Sequence, residues 1–400
     1  MKEKHMIDTS MSGSTATRNS DTSVRQLVLA GTRFILEQQT AGGAYPASPS
    51  FSAYAGYCWF RDGSYIADAM SAVGQIESSE RFFDWCSNVL TSRSERIRHI
   101  VDESRSGRPP ADEHMMPTRF TLDGADGRDD WWDFQLDGYG TWLWALAEHR
   151  TRHGRSLVRW ADAIALTVDY LSCSWERPCY DWWEEAAQHV HVSTLGCIAA
   201  GLSSIAATGH LEDLRASRAT AAADGIRRRV QADGVRDRHL TKWLGTEAVD
   251  ASLLALIAPM NFLDPLSPIG SGTISAVEDQ LTVNNGVHRY LADSYYGGGQ
   301  WPLLSCFLGL AQEAAGNRSR ARELLDWAAS TARENTDLPE QVEERLLDPG
   351  HLQPWIDRWG PSASPLLWSH AMFIRLAAAL GIARHPDWSE AGLPTNEKGL

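Results

Sequence analysis

Long apolar runs are missing from this sequence. The longest, such as Leu253 to Met260, fall well short of the roughly 18 to 20 residues that a membrane-spanning helix needs. An excess of positive charge is missing too. Thirty-seven basic against 51 acidic side chains leave a formal charge of −14, a field that repels nucleic acids and anionic membranes. Neither CxxC nor zinc-finger spacing links the cysteines at 58, 86, 173, 179, 197 and 306, so free thiols are expected. The sequence also lacks a phosphate-cradling GxxxxGKS loop and the Gly-x-Ser-x-Gly elbow of serine hydrolases. Ser10 to Ser23 is polar where a secretory signal would carry an apolar stretch, which points to the cytoplasm. Residues 1–22, rich in Ser and Thr, read as a disordered tail. Residues 23–400 read as a single domain, because the chain is 43% apolar and no long polar linker interrupts it.

What the chain does have is helical periodicity. Apolar spacing predicts helices at about 23–39, 63–77, 79–103, 135–152, 156–173, 190–208, 211–232, 247–257, 272–283, 301–315, 318–334 and 365–380. Gly154, Gly209, Gly316 and Gly381 stand where several of these should stop. Strand-like alternation is confined to Leu240–Gly245 and His189–Val192. Twelve helices pairing as αα-hairpins can close into an all-α (α/α)6 barrel, six inner helices ringed by six outer ones; a solenoid of hairpins is the alternative, and no repeat of 34 to 47 residues favours it. The connections 40–61, 105–134, 174–189 and 335–364 are longer than turns require, and loops of that length usually carry function.

Tryptophan is abundant, 17 residues against ten Tyr and ten Phe, and several indoles fall in or beside those loops. An indole offers a flat apolar face and one N–H donor, which suits a sugar ring with its hydroxyls as well as it suits a packed core. Tyr57-Cys58-Trp59-Phe60-Arg61-Asp62 sets a guanidinium and a carboxylate among aromatics, either to hold hydroxyls or to start a helix with an ion pair. Asp181-Trp182-Trp183-Glu184-Glu185 places two carboxylates after two indoles. Carboxyls packed on Trp keep their protons to higher pH, as a general acid must, although an acidic first helical turn would read the same. Glu340, in Leu338-Pro339-Glu340-Gln341, could supply the second carboxylate that glycosidic chemistry needs, or simply begin a helix. Gln135 and Asp137 beside Gly138, together with Arg289-Tyr290, Asp293, Tyr295, Tyr296 and Trp301 around Gly297-Gly298, bring the amide, carboxylate, guanidinium and phenol groups of a polyol pocket; helix capping is the other reading of Asp137. Trp132 lies in an acidic run, Asp129 to Asp133, which with His189-x-His191 is the only hint of a metal. No third ligand follows at a suitable spacing, and no metal or cofactor is expected.

Taken together and in order, the segments WFRD (59–62), FQLDGYG (134–140), DWWEE (181–185), HRYLADSYYGGGQW (288–301), PEQ (339–341) and SPLLWSHA (364–371), the last containing Trp368, resemble glycoside hydrolase family 15, the glucoamylase-like enzymes, over roughly residues 25–385. The resemblance implies an (α/α)6 barrel, inversion at the anomeric carbon, and release of glucose from a non-reducing end. It also implies Glu184 as general acid, Glu340 as general base, Glu185 as a sugar-binding neighbour, Arg61 and Asp62 on the terminal glucose, Arg289 on that sugar or the next, and Trp183 in the pocket wall. Tyr57, Trp59, Trp132, Gln135, Asp137, Trp301 and Trp368 complete the expected sugar-binding set. The substrate class is a short gluco-oligosaccharide, with α-1,6-linked isomaltose favoured; α-1,4 oligosaccharides and trehalose, a phosphorylase on the same fold, and a non-catalytic sugar binder stay open. Bulky Trp182 is expected to narrow the site beyond the first sugar. Oligomeric state is left open by the sequence.

Overall fold

The computed structural model describes residues 10–131 and 134–383. Among them are thirteen α-helices: α1 (Ser10–Gln38), α2 (Phe60–Ala72), α3 (Ile76–Thr91), α4 (Ser94–Arg105), α5 (Asp137–His153), α6 (Ala161–Ser174), α7 (Val192–Ala207), α8 (Asp213–Asp233), α9 (Pro268–Leu281), α10 (Pro302–Ala314), α11 (Arg318–Ser330), α12 (Leu352–Trp359) and α13 (Leu367–Ala379). None is long and apolar enough to cross a membrane.

Two kinds of helix are distinguished by their burial. Every residue of α2 from Phe60 to Ser71 and every residue of α10 from Pro302 to Gln312 is buried, as befits helices enclosed on all sides. On α8 only Ala219, Ala222, Ala223, Ile226 and Val230 are buried, one stripe with arginines elsewhere around the helix. The enclosed elements form a closed ring in which α2 packs on α5, α5 on α7, α7 on a 3-10 helix at Ala251–Leu256, that segment on α10, α10 on α13, and α13 back on α2. Around it lie α1, α3, α6, α8, α9 and α11, each packed on at least one inner element or outer neighbour. The fold is therefore the (α/α)6 barrel. Bare backbones let α5 and α7 touch: a Cβ at Gly201 would stand 2.2 Å from the carbonyl oxygen of Gly140.

The structure departs from the sequence expectations in five places. The span 79–103 is broken into α3 and α4 at the polar Ser92-Arg93. The fourth inner element, expected as a helix over 247–257, is the shorter 3-10 segment, begun by Asp250, whose carboxylate accepts the Ser252 N–H. The loop 335–364 contains α12. Pro354 argues for a loop there, but at the third helical position it replaces an N–H that has no partner within the helix. Residues 10–22, expected as disordered tail, belong to α1, which has no proline and joins an outer position through Val24, Leu27 and Val28; residues 1–9 lie outside the described part. Finally, Tyr57–Trp59 (β1) pairs antiparallel with Arg119–Thr121 (β2), tying two long loops together. The two strand-like segments meet only at a bridge between His191 and Trp243.

Candidate active site

All six inner elements start at the same end of the barrel, and the long connections 39–59, 106–136, 175–191, 234–250, 282–301 and 331–366 lead into those starts. Helix N-termini carry partial positive charge, so acidic side chains collected there are electrostatically favoured. The loops enclose a cavity of about 290 Å³, lined among others by Tyr54, Trp59, Arg61, Asp62, Trp131, Trp183, Glu184, Glu185, Arg289, Tyr295, Trp301, Glu340 and Trp368. Glu184 and Glu340, 156 positions apart in sequence, thus share one cavity.

Glu184 sits on a tight turn ahead of α7. Asp181 organises it: its Oδ1 accepts the N–H groups of Trp183 (2.9 Å) and Glu185 (3.0 Å), and its carbonyl accepts that of Glu184 (3.0 Å). Glu184 itself has φ +63°, a left-handed conformation unusual for a residue with a Cβ. Its carboxyl accepts indole N–H bonds from Trp59 (Oε1, 2.6 Å) and Trp131 (Oε2, 3.1 Å), with Arg61 Nη2 3.8 Å away. Burial nevertheless outweighs the guanidinium and the Trp59 bond, and pushes its pKa from 4.5 up to about 7, equivalent to about 3 kcal/mol against the charged form. A group so placed holds a proton near neutrality, although the indoles that bond it are Trp59 and Trp131 from other loops and not the adjacent Trp182 and Trp183 of the sequence motif.

Glu340 sits beyond α11 on backbone fixed by its N–H bond to Ala363 O (2.8 Å). Three hydroxyls donate to it: Tyr54 to Oε1 (3.1 Å), Tyr295 (3.3 Å) and Ser362 (3.3 Å) to Oε2. Burial raises it to about 7, partly opposed by the Tyr54 bond, Arg289 and the other hydroxyls. Donors favour the anion at both carboxyls; the difference is that the hydroxyls around Glu340 can re-aim as a proton moves, whereas the indoles on Glu184 are rigid and the groups on it only donate.

Arg61 and Asp62 open α2. Arg61 Nη1 donates to Gln135 Oε1 (2.9 Å) and Asp137 Oδ2 (3.1 Å), and its guanidinium lies 5.5 Å from the centre of the Trp368 ring. Asp62 is raised to about 6, by burial above all, against the pull of Arg61. Its Oδ2, and the indole nitrogens of Trp301 and Trp368, have no hydrogen-bond partner among the described residues. Across the cavity Arg289 is gripped by Asp293 (Nε to Oδ2, 2.7 Å) and reaches Glu185 Oε1 (3.2 Å), while Tyr290 donates to Glu185 Oε2.

Of the residues expected from sequence, Glu184, Glu340, Arg61, Asp62, Trp59, Trp183, Glu185, Arg289, Trp301 and Trp368 all line this cavity. Gln135 and Asp137 do not; they stand behind Arg61 and hold it. Tyr57 is turned aside, donating to Asp129 (2.7 Å) with the Arg119 guanidinium 3.7 Å from its ring centre. Trp132 lies outside the described residues. Trp182 lines the cavity but packs on Tyr65, Phe307 and Trp368, side chains of inner helices, so it forms the floor and not a constriction further out. The histidines considered for a metal serve the fold: His189 stacks on Trp243 at 4.3 Å, and His191 Nε2 meets Ala186 O at 3.0 Å. Sequence reading missed Tyr54, as well as Trp355 and Trp359, the half-buried indoles that α12 brings to the cavity, whereas Tyr295, one of the phenols expected beside the glycines, does line it. The Tyr-Ala-Gly-Tyr spacing offered two phenols, and the turn in which Tyr57 N–H bonds Tyr54 O (3.0 Å) decides which one enters.

Comparison with known proteins agrees with this geometry. An isomaltose glucohydrolase of Kribbella flavida is 49% identical over 349 residues, 87% of this chain and 91% of that protein. A glycosidase structure in complex with glucose superposes with a TM-score of 0.89 at 46% identity, covering 91% of this chain and 98% of the other. A bacterial glucoamylase complexed with acarbose, 20% identical, shares the fold with a TM-score of 0.69 over 91% of this chain and 56% of its own. The model of glycosyl hydrolases family 15 matches residues 25–346, and the chain belongs to that family of glycoside hydrolases.

Proposed function

We propose that the protein is an exo-acting, inverting α-glucoside hydrolase that releases β-glucose from the non-reducing end of short, α-1,6-linked gluco-oligosaccharides. The observation that carries the reading is the pair of carboxyls in one cavity, half-buried Glu184 among indoles and buried Glu340 among hydroxyls. Glu184 protonates the glycosidic oxygen as the C1–O bond breaks. Glu340 takes a proton from the water that attacks C1 on the opposite face, so one water adds across the bond and the configuration inverts. Arg61 and Asp62 supply donors and acceptors for glucose hydroxyls, and the flat faces of Trp182 and Trp183 suit the sugar's C–H surface. A volume of about 290 Å³ lies at the small end of the roughly 300–1,000 Å³ usual for ligand pockets. That favours one or two sugar units over a polymer. The linkage preference is supported by the likeness to the Kribbella flavida protein.

Proton NMR of fresh digests, run with isomaltose, maltose and trehalose, tests both parts. On isomaltose and maltose β-glucose appears first in excess over the anomeric mixture carried by the released reducing-end glucose, on trehalose α- and β-glucose appear in equal amounts, and isomaltose is cut fastest. An initial excess of α-glucose over those proportions would remove the inverting mechanism, a faster rate on maltose or trehalose would reassign the linkage, and a requirement for phosphate would make the protein a phosphorylase.

A further inference from the structure

Lys242 belongs to the segment after β4, where β3 (Val235–Arg236) and β4 (His239–Leu240) form a small hairpin. It is remote in sequence from Glu184 and Glu340, only 5% of its side chain is exposed, and it does not line the cavity. Its backbone is anchored from both sides: its N–H bonds Ala248 O (2.7 Å) and its carbonyl accepts the Val192 N–H (3.2 Å). The ammonium reaches three partners at once. It stands 2.9 Å from Asp181 Oδ2, 2.5 Å from Asp250 Oδ2 and 3.8 Å from the centre of the Tyr290 ring.

Each of those partners holds a different part of the same turn. Asp181 accepts the backbone N–H groups of Trp183 and Glu185. Asp250 accepts the Trp183 indole N–H at 3.1 and 3.0 Å. Tyr290 donates to the Glu185 carboxylate. A buried ion cluster contributes little to stability compared with apolar packing of the same volume, so its presence here calls for a reason other than holding the barrel together. Hydrogen bonds from three sides onto residues 183–185 supply one, because a strained turn keeps its shape only when its surroundings over-determine it.

We propose that Lys242 is a positioning residue: by tying Asp181, Asp250 and Tyr290 to one charge, it aims the turn so that Glu184 meets the leaving oxygen. This rests on reading Glu184 as the proton donor. The consequence is specific, since only leaving groups that need a proton depend on that aim. Isomaltose expels a sugar alkoxide and requires the proton; α-glucosyl fluoride expels fluoride and needs it far less.

Lys242→Met is assayed on both substrates. The expected result is a fall in kcat on isomaltose on the order of 10²-fold, the size produced by misplacing a catalytic group by an ångström, with a much smaller fall on the fluoride. Lys242→Met leaves two carboxylates facing each other in the interior, so Lys242→Met/Asp250→Asn, which removes that repulsion, is measured beside it and is expected to show the same split. Equal losses on the two substrates, no loss on either, or failure of both variants to fold would each overturn the assignment. An unaltered enzyme inactive on both substrates would instead overturn the hydrolase reading on which it rests.

Discussion

The two ends of helix α2 carry buried aspartates whose pKa values move in opposite directions. Asp68, toward the C-terminal end, is held by Arg152 (2.8 Å) and Arg375 (2.9 Å), and these arginines overcome burial to bring its pKa below the usual 3.8. Asp62, one end of the barrel away, is raised to about 6 because burial prevails over a single guanidinium that also serves Asp137 and Gln135. The connections follow the same division: residues 73–75, 208–212 and 315–317 suffice to leave α2, α7 and α10, whereas long loops lead into every inner element. One end neutralises its charges and closes. The other leaves carboxyls under-compensated beside a cavity, where that imbalance is what proton transfer requires.

Substitution should separate the two ends cleanly. The largest effect is expected for Glu184→Gln and Glu340→Gln, each lowering glucose release on the order of 10²- to 10⁴-fold while circular dichroism stays unchanged. At the far end, Asp68→Asn should cost about 3 kcal/mol in denaturant unfolding, since it leaves Arg152 and Arg375 without their partner, with kcat of the folded enzyme preserved. That loss belongs to neutral pH: a carboxyl with a depressed folded pKa stabilises above its unfolded value and loses this contribution as pH falls through the folded one. Glu340 has the reverse sign. Its folded pKa of about 7 lies above the unfolded 4.5, so its favourable contribution is complete below 4.5 and is lost as pH rises through about 7. Glu340→Gln should therefore melt higher than the parent at pH 8, and no higher below pH 4.5. A far-end substitution that spared stability but abolished turnover would break the contrast.

Smaller effects sharpen it. Activity requires Glu340 bare and Glu184 protonated, so it should decline as pH falls through about 7 and again as pH rises through about 7. The kcat/KM profile on isomaltose is then a narrow bell centred near neutrality. Tyr295→Phe removes one of three hydroxyls that favour the Glu340 anion, and should shift the acid limb upward by roughly half a unit, less than the loss of a full charge partner would. A downward shift would show that the phenol does not act through Glu340.

Much of this was legible in the sequence because the relevant signals are local. Helices α7, α10 and α13 announce themselves by apolar or small residues nearly all round, and Trp182 to Glu185 and Arg61-Asp62 are short motifs that can be recognised before their distant partners are known. What was not legible depends on how distant segments meet. Tyr57 and Tyr54 are equivalent on paper, yet the turn between them sends one to Asp129 and the other to Glu340. Gln135 and Asp137 have the chemistry of sugar ligands, but Arg61 reaches them first. Helix α12 was hidden by Pro354, whose position at the start of a helix cannot be known before the start itself is.

A single backbone dihedral at residue 184 divides labour between two identical neighbours. With φ at +63°, Glu184 is swung toward Trp59 and Trp131, while Glu185 goes to Arg289 and Tyr290. Shortening or lengthening this segment by one residue would therefore exchange the proposed proton donor and sugar anchor while both glutamates remain, and a count of acidic residues would not register the damage.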